Sequence, residues 1–192
     1  SYGSEPPYEV LSTRWLDYGE ILRLKGVEEM VEVYYNSGQF PTSIRALEKE
    51  FSSPFRMFEA LSGYYEEQGL LSVSHSRMAR YEILYRFVCG SFPGRAEEMR
   101  DKLTYDLYLR ENVKSRPAFA LDQSPYKEIV KSFFIREDAE RRFLSGYEGF
   151  DSRQLSKMAH LEVFGDGRMV LFDYRNREPL FGNAAVSEIG RV

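Results

Sequence analysis

The side chains that do most enzymatic work near neutral pH are scarce in this chain: two histidines, His75 and His160, and one cysteine, Cys89. As a nucleophile Cys89 would need His75 or His160 beside it as a base. It closes the apolar stripe ILYRFVC, which predicts a packed and inert thiol instead. His75 sits in SHS ahead of a predicted helix, where a turn or cap role is expected; His160 opens a predicted strand as a satisfied edge residue. A single cysteine excludes an internal disulfide and a sulfur-bound iron cluster. The spacings HExxH, GxxxxGKS/T and GxGxxG are absent. The carboxylate pairs Glu28 and Glu29, Glu66 and Glu67, and Glu97 and Glu98 are sequence neighbours on predicted helices, so they point apart and form solvated faces. Catalytic, cofactor-binding and metal-ligating residues are therefore all expected to be none.

Two polar clusters remain. RENVKSRPAF, residues 110–119, groups Arg110, Asn112, Lys114 and Arg116 around a predicted helix end. These groups could complement the helix dipole, or bind an anion or a partner's carboxylate. FDYRNREPL, residues 172–180, offers Asp173, Arg175 and Arg177, which could pair with one another or with the first cluster as a buried ionic network, or serve an interface. A third stretch, residues 40–75, mimics a helix-turn-helix and raises a winged-helix-like nucleic-acid module as an alternative. That alternative predicts a contiguous basic face over residues 45–65, yet Arg56 is set against Glu59, Glu66 and Glu67. A small stand-alone enzyme is the other alternative; it predicts a pocket on which Asp, His, Arg or Tyr groups converge.

The elements that must position these groups are mostly helical. LDYGEILRLKGVEEMVEVYYNSG places Ile21, Leu24, Val27, Val31 and Tyr34 at helical steps, with Asp17 and Glu20 as a capping box, Gly26 as a candidate kink and Asn36–Gly38 as the stop. Tyr35, on the flank of that stripe, is the residue expected to reach a partner domain. Further helices are expected in SIRALEKEF, in PFRMFEALSGYYEEQG capped by Ser53, in SHSRMARYEILYRFVCG, and in PGRAEEMRDKLTYDLYLRENVKSRP closed by Pro117. SPYKEIVKSFFIR, REDAERRFLSGY and SRQLSKM are shorter candidates. AHLEVF, GDG and RMVLFDY then read as two alternating strands around a tight turn, with His160, Glu162 and Phe164 on one face.

The expected fold is mainly α, a multi-helical domain with one C-terminal β-hairpin. A single domain is expected over residues 1–192: a flexible N-terminus at 1–12, helices over 16–158, the hairpin over 160–174 and a C-terminal tail over 176–192. Fourteen tyrosines and fourteen phenylalanines suit extensive packed or partner interfaces. The net charge of -4 and the lack of a dense basic stripe argue against phosphate-backbone binding. No apolar run is long enough to span a bilayer, and the lone cysteine fits a reducing compartment, so the expected location is cytoplasmic.

Five separated segments, LSTRWLDYGEILRLKGVEEMVEVYYNSGQF, SPFRMFEALSGYYEEQG, SHSRMARYEILYRF, YDLYLRENVKSRPAFA and LFDYRNREPL, resemble a C-terminal domain of unknown function. That domain is found in bacterial cobalamin-binding radical SAM proteins, including those classed as iron-sulfur oxidoreductases or as relatives of the anaerobic magnesium-protoporphyrin IX monomethyl ester cyclase. The resemblance implies a parent protein that uses cobalamin, S-adenosylmethionine and a 4Fe-4S cluster held by a CxxxCxxC motif. It implies no cofactor in this domain, which lacks that motif. The preceding radical SAM and cobalamin-binding domains would be its partners, and its role would be accessory: capping the barrel, contributing to the substrate pocket or docking a partner. Neither nucleic acid nor membrane is implied.

Overall fold

The structure, a computed structural model, describes residues 17–71 and 73–192; the expected flexible segment 1–12 lies outside them. The expectation of one domain meets a chain that groups into two compact units, one ending at Arg80 and one beginning at Tyr81. The boundary falls within helix α4 (Arg77–Ser91).

In the first unit, α1 (Tyr18–Val31) starts where predicted. The Asp17 carboxylate accepts from Glu20 N at 2.8 Å, and the Glu20 carboxylate accepts from Asp17 N at 2.9 Å, so two otherwise orphaned donors are satisfied. The helix runs unbroken through Gly26. A Cβ there would lie 2.2 Å from Ser62 Oγ on α3 (Pro54–Glu67), so this glycine lets the two helices approach closely. The irregularity comes at the end of the helix: Glu32–Asn36 is a π turn, closed by Ser37 N donating to Glu32 O at 3.1 Å, and Gly38 follows at φ +64. The turn buries Tyr34 and leaves Tyr35 66% exposed. Tyr34 donates to Arg80 O at 3.2 Å, so Tyr65, 2.6 Å away, donates to Tyr34. Helix α2 (Pro41–Glu48) adds Ile44 and Leu47 to the core, and Ser53 caps α3 as expected. His75 takes its predicted turn role, its Nε2 lying 2.8 Å from Leu70 O.

The second unit contains α5 (Ala96–Arg110), α6 (Lys127–Glu140), α7 (Ser152–Met158) and an antiparallel sheet of β1 (Ala159–Val163), β2 (Arg168–Asp173) and β3 (Ala185–Arg191), ordered β1-β2-β3. The hairpin pairs Leu161 with Leu171 and Val163 with Met169. Alternation sends Leu161 and Leu171 into a core with Phe133, Phe134, Tyr147 and Leu155, on the α6 and α7 side. It sends Phe164, Val170 and Phe172 to the opposite face against Tyr108 of α5. Helices therefore cover both faces of the sheet.

Three expectations are corrected by these elements. The segment expected as a C-terminal tail, 176–192, carries a third strand: its residues 185–191 are β3, held by ladder bonds to β2 rather than by burial, so periodicity did not reveal them. The fifth helix does not run to Pro117. It ends at Arg110 because Glu111 turns extended, while Tyr174 Oη donates to Tyr108 O and Glu111 O and Arg177 donates to Arg110 O. REDAERRFLSGY forms no helix of its own, because α6 absorbs its start and stops at Arg141, in the left-handed region at φ 51. The buried Glu137 carboxylate causes the turn by accepting from Phe143 N and Leu144 N, both at 2.9 Å.

The buried tyrosines predict an alkaline signature. Burial raises the pKa of Tyr34, Tyr147 and Tyr174 far above 10.0, and pushes Tyr108 up to about 12. A folded-state pKa above the unfolded one contributes stability that is complete below 10.0 and is lost as pH rises. Tyrosinate absorbance should therefore fall short of all fourteen residues while the fold persists, with the remainder appearing together with loss of circular dichroism. Full ionisation in a chain that is still folded would contradict this burial.

Candidate functional site

The second unit carries a cleft of about 660 Å³ along the outer edge of β1. Two of its lining residues, Arg116 and His160, are held by a carboxylate behind them. Glu162 lies on the face of β1 that meets α5, only 1% exposed, where an unpaired charge would cost several kcal/mol. Arg116 answers it in a two-pronged grip, Nη1 donating to Oε2 at 3.0 Å and Nη2 to Oε1 at 2.5 Å. The same guanidinium donates through Nε and Nη2 to Leu121 O, so it also pins the connection between α5 and α6. Burial alone would lower the Arg116 pKa, and the Glu162 bonds outweigh it and hold the group firmly charged. His160 completes the set: Nε2 lies 2.8 Å from Glu162 Oε2, and the ring stacks on Tyr108 at 3.7 Å and 13°.

A carboxylate oriented on a histidine is the arrangement that serves general-base chemistry. Here both Glu162 oxygens are taken by Arg116, and Tyr108 covers one face of the imidazole. The Tyr108 phenol, raised by burial and by the Glu162 charge, stays protonated and is no base. The cluster joins strand, helix and connection. Above it the walls are apolar, from Val130, Phe134, Ile135 and Leu161, and the rim carries Lys114, Lys127, Lys131 and Arg153.

Of the residues singled out from sequence, Lys114 and Arg116 line this cleft. The others are engaged elsewhere. Arg110 donates to Phe181 O at 3.0 Å and Asn183 Oδ1 at 3.2 Å, and Asn112 to Lys157 O at 3.0 Å. Asp173 accepts from Tyr147 Oη, from Arg175 N at 3.0 Å and from Asn176 Nδ2 at 2.7 Å. Arg175 donates to Gly146 O at 2.8 Å and lies over the Tyr147 ring. The two polar clusters do meet, but through arginines on backbone carbonyls rather than through Asp173 as an ion pair. Tyr35 stands apart in the first unit. There Arg56 and Arg23 both donate to Glu59, which depletes the basic face a nucleic-acid module would need. Sequence reasoning passed over Glu162, although an acid on a strand face shared with Phe164 signals a required cation. It also passed over Gln123, which no local pattern marks.

A 4Fe-4S cluster does not fit this chain. Such a cluster takes thiolates, and the one cysteine, Cys89, shares a hydrogen bond with Tyr85. Among the described residues no three His, Cys, Asp or Glu side chains gather as metal ligands, and no helix is long and apolar enough to cross a membrane.

Removing one half of a buried pair costs more than removing both. Glu162→Gln and Arg116→Met should each destabilise the chain by about 3 kcal/mol in urea unfolding, and Glu162→Gln combined with Arg116→Met by clearly less than their sum. Additive losses would show that the two side chains do not act as a pair.

No curated protein and no solved structure matches the chain. Residues 1–176 match the family described as Protein of unknown function (DUF4080), a family associated with bacterial cobalamin-binding radical SAM proteins. With nearly the whole sequence covered by that match, the chain belongs to the DUF4080 family.

Proposed function

We propose that the chain is a non-catalytic accessory domain of a cobalamin-dependent radical SAM protein, capping the barrel or docking against the preceding domains. The observation that supports it is the state of the polar groups beneath the cleft. Glu162, Arg116 and His160 are committed to one another, which suits a surface that binds and covers rather than one that transforms. Family membership supplies the context. The chemistry that needs a 4Fe-4S cluster, S-adenosylmethionine and cobalamin belongs to the preceding domains. Shielding such chemistry from water is a physical reason for a helical cap.

Tyr35 is the docking residue of this reading. It is a large amphipathic side chain held outward by a π turn, and interface anchors are enriched in such residues.

Two measurements on the parent protein test the proposal without knowledge of its substrate. A parent truncated before this chain should bind the separate 192-residue chain in calorimetry, and Tyr35→Ala should weaken that binding by roughly tenfold. Truncation should also raise uncoupled release of 5′-deoxyadenosine from S-adenosylmethionine, because the barrel is then open to solvent. No reassociation together with an unchanged rate of release would contradict both capping and docking.

A further inference from the structure

We infer that the cleft along the outer edge of β1 binds a small anionic amphiphile, a compact apolar body carrying a carboxylate, sulfonate or phosphate group. Its charge is one-sided. The lining includes Lys114, Arg116, Lys127, Lys131 and Arg153 and no acid. Arg116 is neutralised by Glu162, and Lys131 has only a loose contact with the exposed Glu128 at 3.9 Å. Asp122 acts on Lys127 from outside the lining. Lys114, Lys127 and Arg153 are exposed and form no ion pair among the described residues. Cations left in water around an apolar slot complement a ligand whose charge lies at its end.

The strand edge decides the size of the occupant. Gln123 acts as a substitute neighbouring strand for Val163, its Nε2 donating to Val163 O at 2.8 Å and its Oε1 accepting from Val163 N at 3.1 Å. At the other end, Ala159 N is bonded to Leu155 O of α7. Antiparallel alternation directs the N–H and C=O of Leu161 to the same side as those of Val163, the side that lines the cleft. With both Val163 groups and the Ala159 N–H already bonded, the remaining edge is too short for an added peptide strand, and it suits a single polar group of a small molecule. The volume, about 660 Å³, lies within the range of ordinary small-ligand pockets. Ile135, 53% exposed on the wall, supplies apolar surface that would be covered by the ligand.

This inference stands on the second unit alone and does not rest on the accessory role, so each can fail without the other. The probe is 1-anilinonaphthalene-8-sulfonate, compared with N-phenyl-1-naphthylamine, which has the same rings and no charge, on the intact 192-residue chain. The sulfonate should bind at one site per chain and more tightly than the amine. Lys127→Glu with Lys131→Glu, both exposed, should weaken the sulfonate by roughly tenfold or more and leave the amine within about twofold. Ile135→Glu should weaken both. Circular dichroism and melting temperature of each variant confirm that the fold is intact. Equal affinity for the two probes, insensitivity of the sulfonate to charge reversal, or no saturable site would overturn the inference. So would a dimer in sedimentation that Ile135→Glu abolishes, since that result assigns the cleft to a second copy of the chain.

Discussion

A carboxylate placed on the covered face of a sheet must be matched, and much of the second unit is arranged to match Glu162. Its partner Arg116 does not lie on a neighbouring strand or helix. It comes from the connection that leaves α5 after Arg110 and reaches Glu162 on β1. The guanidinium then holds Leu121 O as well, and this fixes the path into α6. The groups that give the cleft its character are carried on that path: Lys114 before Arg116, Gln123 after it, and Lys127 and Lys131 on the first turns of α6. Such a pair contributes less to net stability than its geometry suggests, because desolvation offsets much of the attraction. Its larger effect is on register: a slip of one residue in β1 would move Glu162 to the α6 face, away from Arg116.

Tyrosine plays a comparable part in both units. Phenols placed at helix ends and turns fill core volume with the ring and satisfy polar groups with the hydroxyl. Tyr65 and Tyr34 do so towards Arg80 O, Tyr174 caps the last carbonyls of α5, and Tyr147 meets the buried Asp173. At these positions the phenol is retained for the polar group that its hydroxyl satisfies, whereas Tyr18 and Tyr35 are exposed.

The elements with local causes were legible in the sequence. The capping box at Asp17 and Glu20, the Ser53–Pro54 start, the SRQLSKM helix and the hairpin around Gly165–Gly167 are set by residues within a few positions of one another. What escaped depends on distant partners. Strand β3 exists because β2 offers a free edge, the end of α5 because Tyr174 and Arg177 reach its carbonyls, and the bend after α6 because Glu137 turns back on Phe143 and Leu144. The candidate site was half visible. Lys114 and Arg116 stood out as cations near a helix end, but the acid that fixes Arg116 lies 46 residues away, and the cations that share the rim sit on another helix.

The central claim, that the edge of β1 is a prepared anion-binding cleft, is tested most directly by amide nuclear magnetic resonance of the chain titrated with the anilinonaphthalene sulfonate. Saturable shifts are predicted at Leu161, His160, Lys127, Lys131 and Ile135, with little change at Val163, whose backbone pair Gln123 already holds. Shifts centred on the exposed Leu180 and Phe181, or spread without saturation over both units, would contradict it.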